Sequence, residues 1–235
     1  MIVEESPGGL LDAAPEADSL AALAQFLEAP TFSCLGAKSA LHQGGLQARR
    51  YGELGSRATT RRLAGDLNRF AAEHRRRARD FASYIGCFSG PGDLDEIHFE
   101  ARLWQQLADL HRLDSEQSDW DAGVDRDPQN SRFGFSFGGQ AFFVVGLHPQ
   151  ASRLARRFDW PALAFNPHDQ FARLRAEGRF SRLRDAIRRR EVELQGSLNP
   201  NLADFGLAPE SRQYSGRQVP PGWRCPVSFT EEQGD

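Results

Sequence analysis

The stretch FGFSFGGQAFFVVGLHP, residues 133–149, holds two apolar runs separated by a pair of glycines. FGFSF and AFFVVGL on either side of GGQ read as a β-hairpin, because paired glycines supply the backbone conformations that a tight turn needs. The second run is apolar without alternation, the mark of a strand buried on both faces. It stops at Gly146, and the His148–Pro149 pair follows where the sheet ends, a place where sites collect.

Outward from this hairpin the chain offers further strands at LQARRYGEL (46–54), DFASYIGCF (80–88) and PALAF (161–165). These are rich in aromatic and apolar residues, as strands are. Helical spacing appears in SLAALAQFLEA (19–29), capped by Asp18 or Ser19, with Leu20, Leu23 and Leu27 on one face. A short helix follows the turn in FSCLGAKSAL (32–41). From Thr59, Leu63, Leu67, Phe70 and His74 recur on one helix face, with Arg61, Arg69, Arg76 and Arg79 opposite. Residues 94–113 place Leu94, Ile97, Leu103, Trp104, Leu107 and Leu110 together. Two more helices are expected at DQFARLRAEG (169–178) and FSRLRDAIRRREVELQG (180–196). The acidic, proline-broken segment 115–132 reads as a long surface loop acting as a lid. Strands and helices mix without strict alternation. The expectation is therefore α+β: a mixed, largely antiparallel central sheet with helices packed on it. Residues 1–17 are expected to be a flexible leader, and 18–235 a single domain.

The 235 residues are 40% hydrophobic and 26% charged with net charge −3, so a sizeable core is available and nothing draws the whole chain to nucleic acid or a membrane. Residues 1–30 lack the basic start and apolar run of a secretion signal, and no run reaches the roughly 20 residues of a membrane helix. Three scattered cysteines, Cys34, Cys87 and Cys225, make no disulfide framework. A soluble cytoplasmic protein is expected.

His148, just past the buried run, suits a metal or a heme iron, or equally a hydrogen-bonded turn before Pro149. Arg153, Arg156 and Arg157 offer guanidinium forks for carboxylates, or a solvated face. The six histidines show no paired metal-ligand spacing, and there is no Cys-x-x-Cys. His74 sits on an apolar helix face, and His168 opens a helix. SFGGQAF lacks nucleotide-loop spacing, and no serine-nucleophile motif occurs. Cys34 and Cys225 lie in loops, where a thiolate could also ligate heme.

The strings FGFSFGGQAFFVVGLHPQASRLARRF, PALAFNPHDQFARLR, LQGSLNP, SRQYSGR and WRCP, with SCLGAKSAL near the start, resemble the YqcI/YcgG family, from about residue 32. Within it they are most similar to the heme-dependent pre-guanitoxin N-hydroxylase branch. Two details depart from the family pattern: Ser33 stands where a proline precedes the opening cysteine, and the tail reads CPVSF. The resemblance implies a heme-dependent N-oxygenase that uses heme b and dioxygen to hydroxylate a nitrogen of a guanidine-bearing amino acid or derivative. It implies His148 as the axial iron ligand, with Cys225 and His168 next in line, and Arg153, Arg156 and Arg157 on the propionates. Glu100, Asp169 and Glu191 are candidates for gripping the guanidinium, and Arg212, Tyr214 and Arg217 for the substrate carboxylate. Expected partners are the substrate, an electron donor and a second copy in a homodimer, with no nucleic acid and no membrane. Two alternatives are a non-catalytic heme sensor or carrier and a cofactor-free interaction module.

Overall fold

The computed structural model describes residues 13–77 and 79–230. Its sheet contains β1 (Leu46–Tyr51), β2 (Ser83–Phe88), β3 (Phe135–Phe137), β4 (Gln140–Leu147) and β5 (Ala162–Pro167), in the order β1-β2-β5-β4-β3. Only β1 and β2 run parallel; the other neighbouring pairs are antiparallel. The hairpin turn places Gly138 and Gly139 at φ 59° and 67°, the left-handed conformation that a two-residue loop of this kind requires. The fold is α+β, as the sequence implied.

Helices flank both faces: α1 (Ala13–Glu28), α2 (Leu35–His42), α3 (Arg57–Arg77), α4 (Glu96–Asp114), α5 (His168–Ala176), α6 (Phe180–Gln195) and the short α7 (Ser211–Tyr214). On one face α3 and α4 press Leu63, Leu67, Phe70, Leu103 and Trp104 onto Tyr84, Phe142, Val144 and Phe165 of the sheet. The Asp95 carboxylate caps α4 by accepting from the His98 amide at 2.8 Å. Ile97, expected on the buried side of this helix, is 62% exposed. Gly146 is required here: a Cβ would lie 2.7 Å from the Phe99 ring and 2.9 Å from Leu103. The glycine that ends the apolar run thus lets α4 approach β4.

On the other face Leu23 and Leu27 of α1 join Phe32, Ile85, Leu147, Phe158 and Ala164 in a second cluster. The first helix starts at Ala13, upstream of the caps expected at Asp18 or Ser19. Residues 13–17 of the expected leader are therefore helical, and 1–12 lie outside the described residues. The arginine-dotted segment after His148 forms a single 3-10 turn, Leu154–Arg156. The acidic segment 115–132 packs along the β3–β4 hairpin: Asp121 accepts from the Ala141 amide at 2.8 Å, and Trp120 lies against Phe133 and Phe229. Among the described residues, no helix is long and apolar enough to cross a membrane.

Candidate functional site

The two sheet faces are filled differently. Along β4, Phe142, Val144 and Gly146 are buried on the side of α3 and α4, whereas Phe143 and Val145 on the opposite side are only half-buried. The reason lies in their neighbours. Phe143, Val145 and Leu147 pair with Asn166, Ala164 and Ala162 of β5, and Ser83 of β2 lies on the same face. These short side chains leave space between the sheet and α6. Two joined cavities result, of about 220 and 250 Å³, both lined by Cys34, Ala37, Phe143, Val145, Asn166, Ile187, Arg188 and Leu202. Together they fall within the size of small-molecule sites, which span roughly 300–1,000 Å³.

The polar groups on this apolar lining are few. Cys34 is the residue that caps α2, in extended backbone at φ −76° and ψ 102°. Part of its surface stays open, and it borders both cavities. Burial pushes the thiol up. The Ala37 and Gly36 amides of the first helical turn and the Arg156 charge pull in the opposite direction. Glu191 accepts from Ser33 Oγ at 2.8 Å and from Arg153 Nε and Nη2 at 3.0 and 2.6 Å, so its charge is matched. Arg188 pairs with Asp204 at 2.9 Å. Arg156 differs. Its Nη1 donates to the Gly146 and Tyr214 carbonyls and its Nη2 to that of Gln213, with no carboxylate in ion-pair range among the described residues. Burial lowers its pKa to about 10, which leaves it charged at neutral pH.

Of the residues singled out from the sequence, Arg153, Arg156 and Glu191 meet at this cavity. His148 does not line either part of it. Strand alternation explains this: Leu147 faces the cavity, so the next residue turns to the α4 side. There the His148 ring is 1% exposed and stacks on Phe99 at 4.3 Å, with Nδ1 lacking a hydrogen-bond partner. Burial lowers its pKa, keeping it neutral. Arg157 is exposed and donates to the Ala151 carbonyl. Cys225 packs against the α4-side core, and burial pushes its thiol to about 12. His168 Nε2 meets Glu210 Oε2 at 2.9 Å.

The other candidates are occupied by the chain itself. Glu100 takes Ser215 Oγ, Arg217 and Trp223 Nε1. Arg212 holds the carbonyls of Pro220, Pro221 and Trp223. The Tyr214 hydroxyl donates to the Phe142 carbonyl and accepts from the Phe135 amide. The expected lid, 115–132, contributes nothing to the cavity lining; α6 covers it instead. Cys34 was noted from the sequence as a loop thiol able to ligate heme; Ser33, Asn166, Arg188 and Asn199 were not singled out as site residues, although Ser33, Asn166 and Asn199 lie in the strings SCLGAKSAL, PALAFNPHDQFARLR and LQGSLNP.

Asp169 joins α5 to α3. Burial raises its carboxyl, but hydrogen bonds from His74 (2.8 Å) and Arg173 outweigh that and hold it at about 2. A depressed folded-state pKa contributes stability above the unfolded value of 3.8 and loses it as pH falls toward 2. Asp169→Asn is therefore expected to flatten that part of the acid limb. Thermal midpoints measured from pH 5 down to pH 2 check this, and parallel wild-type and variant curves would contradict it.

Among the described residues, no group of three or more His, Cys, Asp and Glu side chains is placed to hold a bare metal ion. Iron already held in a porphyrin asks for only one protein donor.

Comparison with known proteins places this geometry in a lineage. The chain is 27% identical over 218 residues to the uncharacterized protein YcgG of Bacillus subtilis (strain 168), covering 86% of this chain and 83% of that protein. It is also 27% identical over 182 residues to the uncharacterized protein YqcI of the same organism, covering 74% and 70%. No solved structure matches. The model of one family matches residues 23–228, which span the sheet, the helices on both faces and every residue that lines the joined cavity. The chain belongs to the YqcI/YcgG family.

Proposed function

We propose that the protein is a heme-dependent N-oxygenase of the cytoplasm, hydroxylating a nitrogen of a small guanidine-bearing amino acid or derivative, with heme b seated in the joined cavity. The observation that carries this reading is an apolar slot bordered by one thiol and by one guanidinium without a carboxylate partner. Cys34 replaces His148 as the iron ligand in this proposal, because among the described residues no histidine lines the cavity. Arg156 suits a propionate. Ile85, Val145, Leu147 and Ala164 supply apolar walls that exclude water.

When bound, heme supplies dioxygen binding and delivery of one oxygen atom, using electrons from a donor. The chain's own residues position the substrate. Glu191, steadied by Ser33 and paired with Arg153, would receive a substrate guanidinium only in exchange for that of Arg153. Asn166 and Asn199 also border the cavity, with their amide nitrogens donating to the Phe143 and Gly216 carbonyls. Covering by α6 keeps the reacting nitrogen from bulk solvent.

The test is hemin titration followed by turnover with reductant, dioxygen and arginine or a cyclised guanidine amino acid. The expected result is a stoichiometric Soret band and a hydroxylated product. A Soret band without product would indicate a heme sensor or carrier, and a chain that never takes up heme would leave only an interaction role.

A further inference from the structure

We propose that the solvent face of α3 is the docking surface for an acidic protein electron carrier. The helix has 21 residues, about 30 Å of length at 1.5 Å per residue. It carries seven arginines against two carboxylates, Asp66 and Glu73, in a chain whose net charge is −3. Arg57, Arg61, Arg62, Arg69, Arg75 and Arg76 are all exposed and fall within an arc of about 140° at 3.6 residues per turn. No carboxylate shares the arc. Asp66 points inward to Tyr51 and Arg49 and also pairs with Arg69, and Glu73 is held at the edge by Arg77 and Gln47. Among the described residues, Arg57, Arg61, Arg62 and Arg76 have no hydrogen-bond or ion-pair partner.

The middle of the face is low. Gly65 has nothing within 4 Å of where a Cβ would sit, and Asn68 and Ala72 continue the small-residue strip between the arginines. An acidic surface could approach closely while the guanidinium groups reach round it. Electron-transfer encounters are small and steered by charge complementarity, which suits a single basic helix face. A nucleic acid fits less well, because the rest of the chain is net acidic and would repel a long phosphate backbone. The position is also favourable. Phe70 of α3 lies 5.6 Å from Tyr84, and Ser83 and Ile85, its neighbours in β2, line the cavity on the far side of the sheet. One helix and one sheet layer separate the docking face from the proposed heme. The electron-delivery part of this inference rests on the heme reading; the docking part does not.

The probe is a purified acidic plant-type [2Fe–2S] ferredoxin, titrated against the full chain with and without heme. Binding is expected at about 0.02 M salt and should weaken at least about tenfold by about 0.3 M. The variant with Arg57→Glu, Arg61→Glu, Arg62→Glu and Arg76→Glu should lose at least about tenfold in affinity at low salt. The paired variants Arg57→Glu/Arg61→Glu and Arg62→Glu/Arg76→Glu should each lose part of it, which guards against a misfolded quadruple variant. Arg182→Glu/Arg189→Glu on α6 should bind as wild type does. In heme-loaded protein, photoreduced ferredoxin should reduce the iron faster with wild type than with the α3 variants. The docking proposal is overturned by absence of salt-sensitive binding, by unchanged affinity in the α3 variants, by an equal loss in the α6 control, or by a duplex DNA that outcompetes ferredoxin. Failure to take up heme with ferredoxin binding intact would count against the heme reading and against the carrier role, while leaving the acidic docking surface.

Discussion

In hemin-titrated protein, Cys34→Ala is expected to abolish the Soret band or shift it, and to lower heme affinity by at least about tenfold. Loss of even a supporting group around a metal costs 10–100-fold, and a direct ligand costs no less. The reduced, carbon-monoxide-bound spectrum should have thiolate character in the wild type and lose it in the variant. Affinity should also rise with pH. Burial raises the thiol's pKa, so at neutral pH the ligand is protonated and coordination must release that proton. His148→Ala is the matched comparison. Its ring packs on Phe99 behind the sheet, so the expected loss is stability, with the spectrum retained. An unchanged spectrum in Cys34→Ala together with a lost band in His148→Ala would return the iron to His148. It would also require α4 to move away from that ring.

Glu100→Ala is expected to have the largest effect on stability. The carboxylate is 6% exposed and gathers Ser215, Arg217 and Trp223, pinning the C-terminal segment onto α4. Removing one side of a buried ion pair leaves the other charge uncompensated, at a cost of about 3–5 kcal/mol. For a chain of this size that corresponds to a fall in thermal midpoint of roughly 6–20 °C. Glu100→Gln keeps the shape and part of the hydrogen bonding and should lose less. Calorimetry of the two variants checks the ranking. A variant with an unchanged midpoint but lost substrate affinity would make Glu100 a substrate ligand instead of a tether for the tail.

The contrast between these residues shows where sequence reading stops. Glu100, Arg212, Tyr214 and Arg217 have the right chemistry for a substrate, and nothing local in the chain reveals that Glu100 and Arg217 pair with each other while Arg212 and Tyr214 are satisfied by backbone groups. Their partners lie 115–123 residues away for Glu100, and within the tail and hairpin for Arg212 and Tyr214. The choice between His148 and Cys34 has the same origin. Both occur in family-like strings, but strand alternation sends Leu147 to one face and His148 to the other, and the sequence does not say which face is open.

Local rules were enough for the elements. Apolar runs, the Gly138–Gly139 turn, the three- and four-residue spacing in α3 and α4, and Gly196 in left-handed conformation at the end of α6 all act within a few residues. From these follow the α+β class and a mostly antiparallel sheet. The cavity was a decision of the tertiary structure alone. It exists because Ser83 of β2, far away in the chain, comes to lie beside Ala164 and Asn166 of β5 on the sheet face beneath α6. Packing is a property of what meets across the fold, and side chains too short to fill the gap show themselves only once their neighbours are in place.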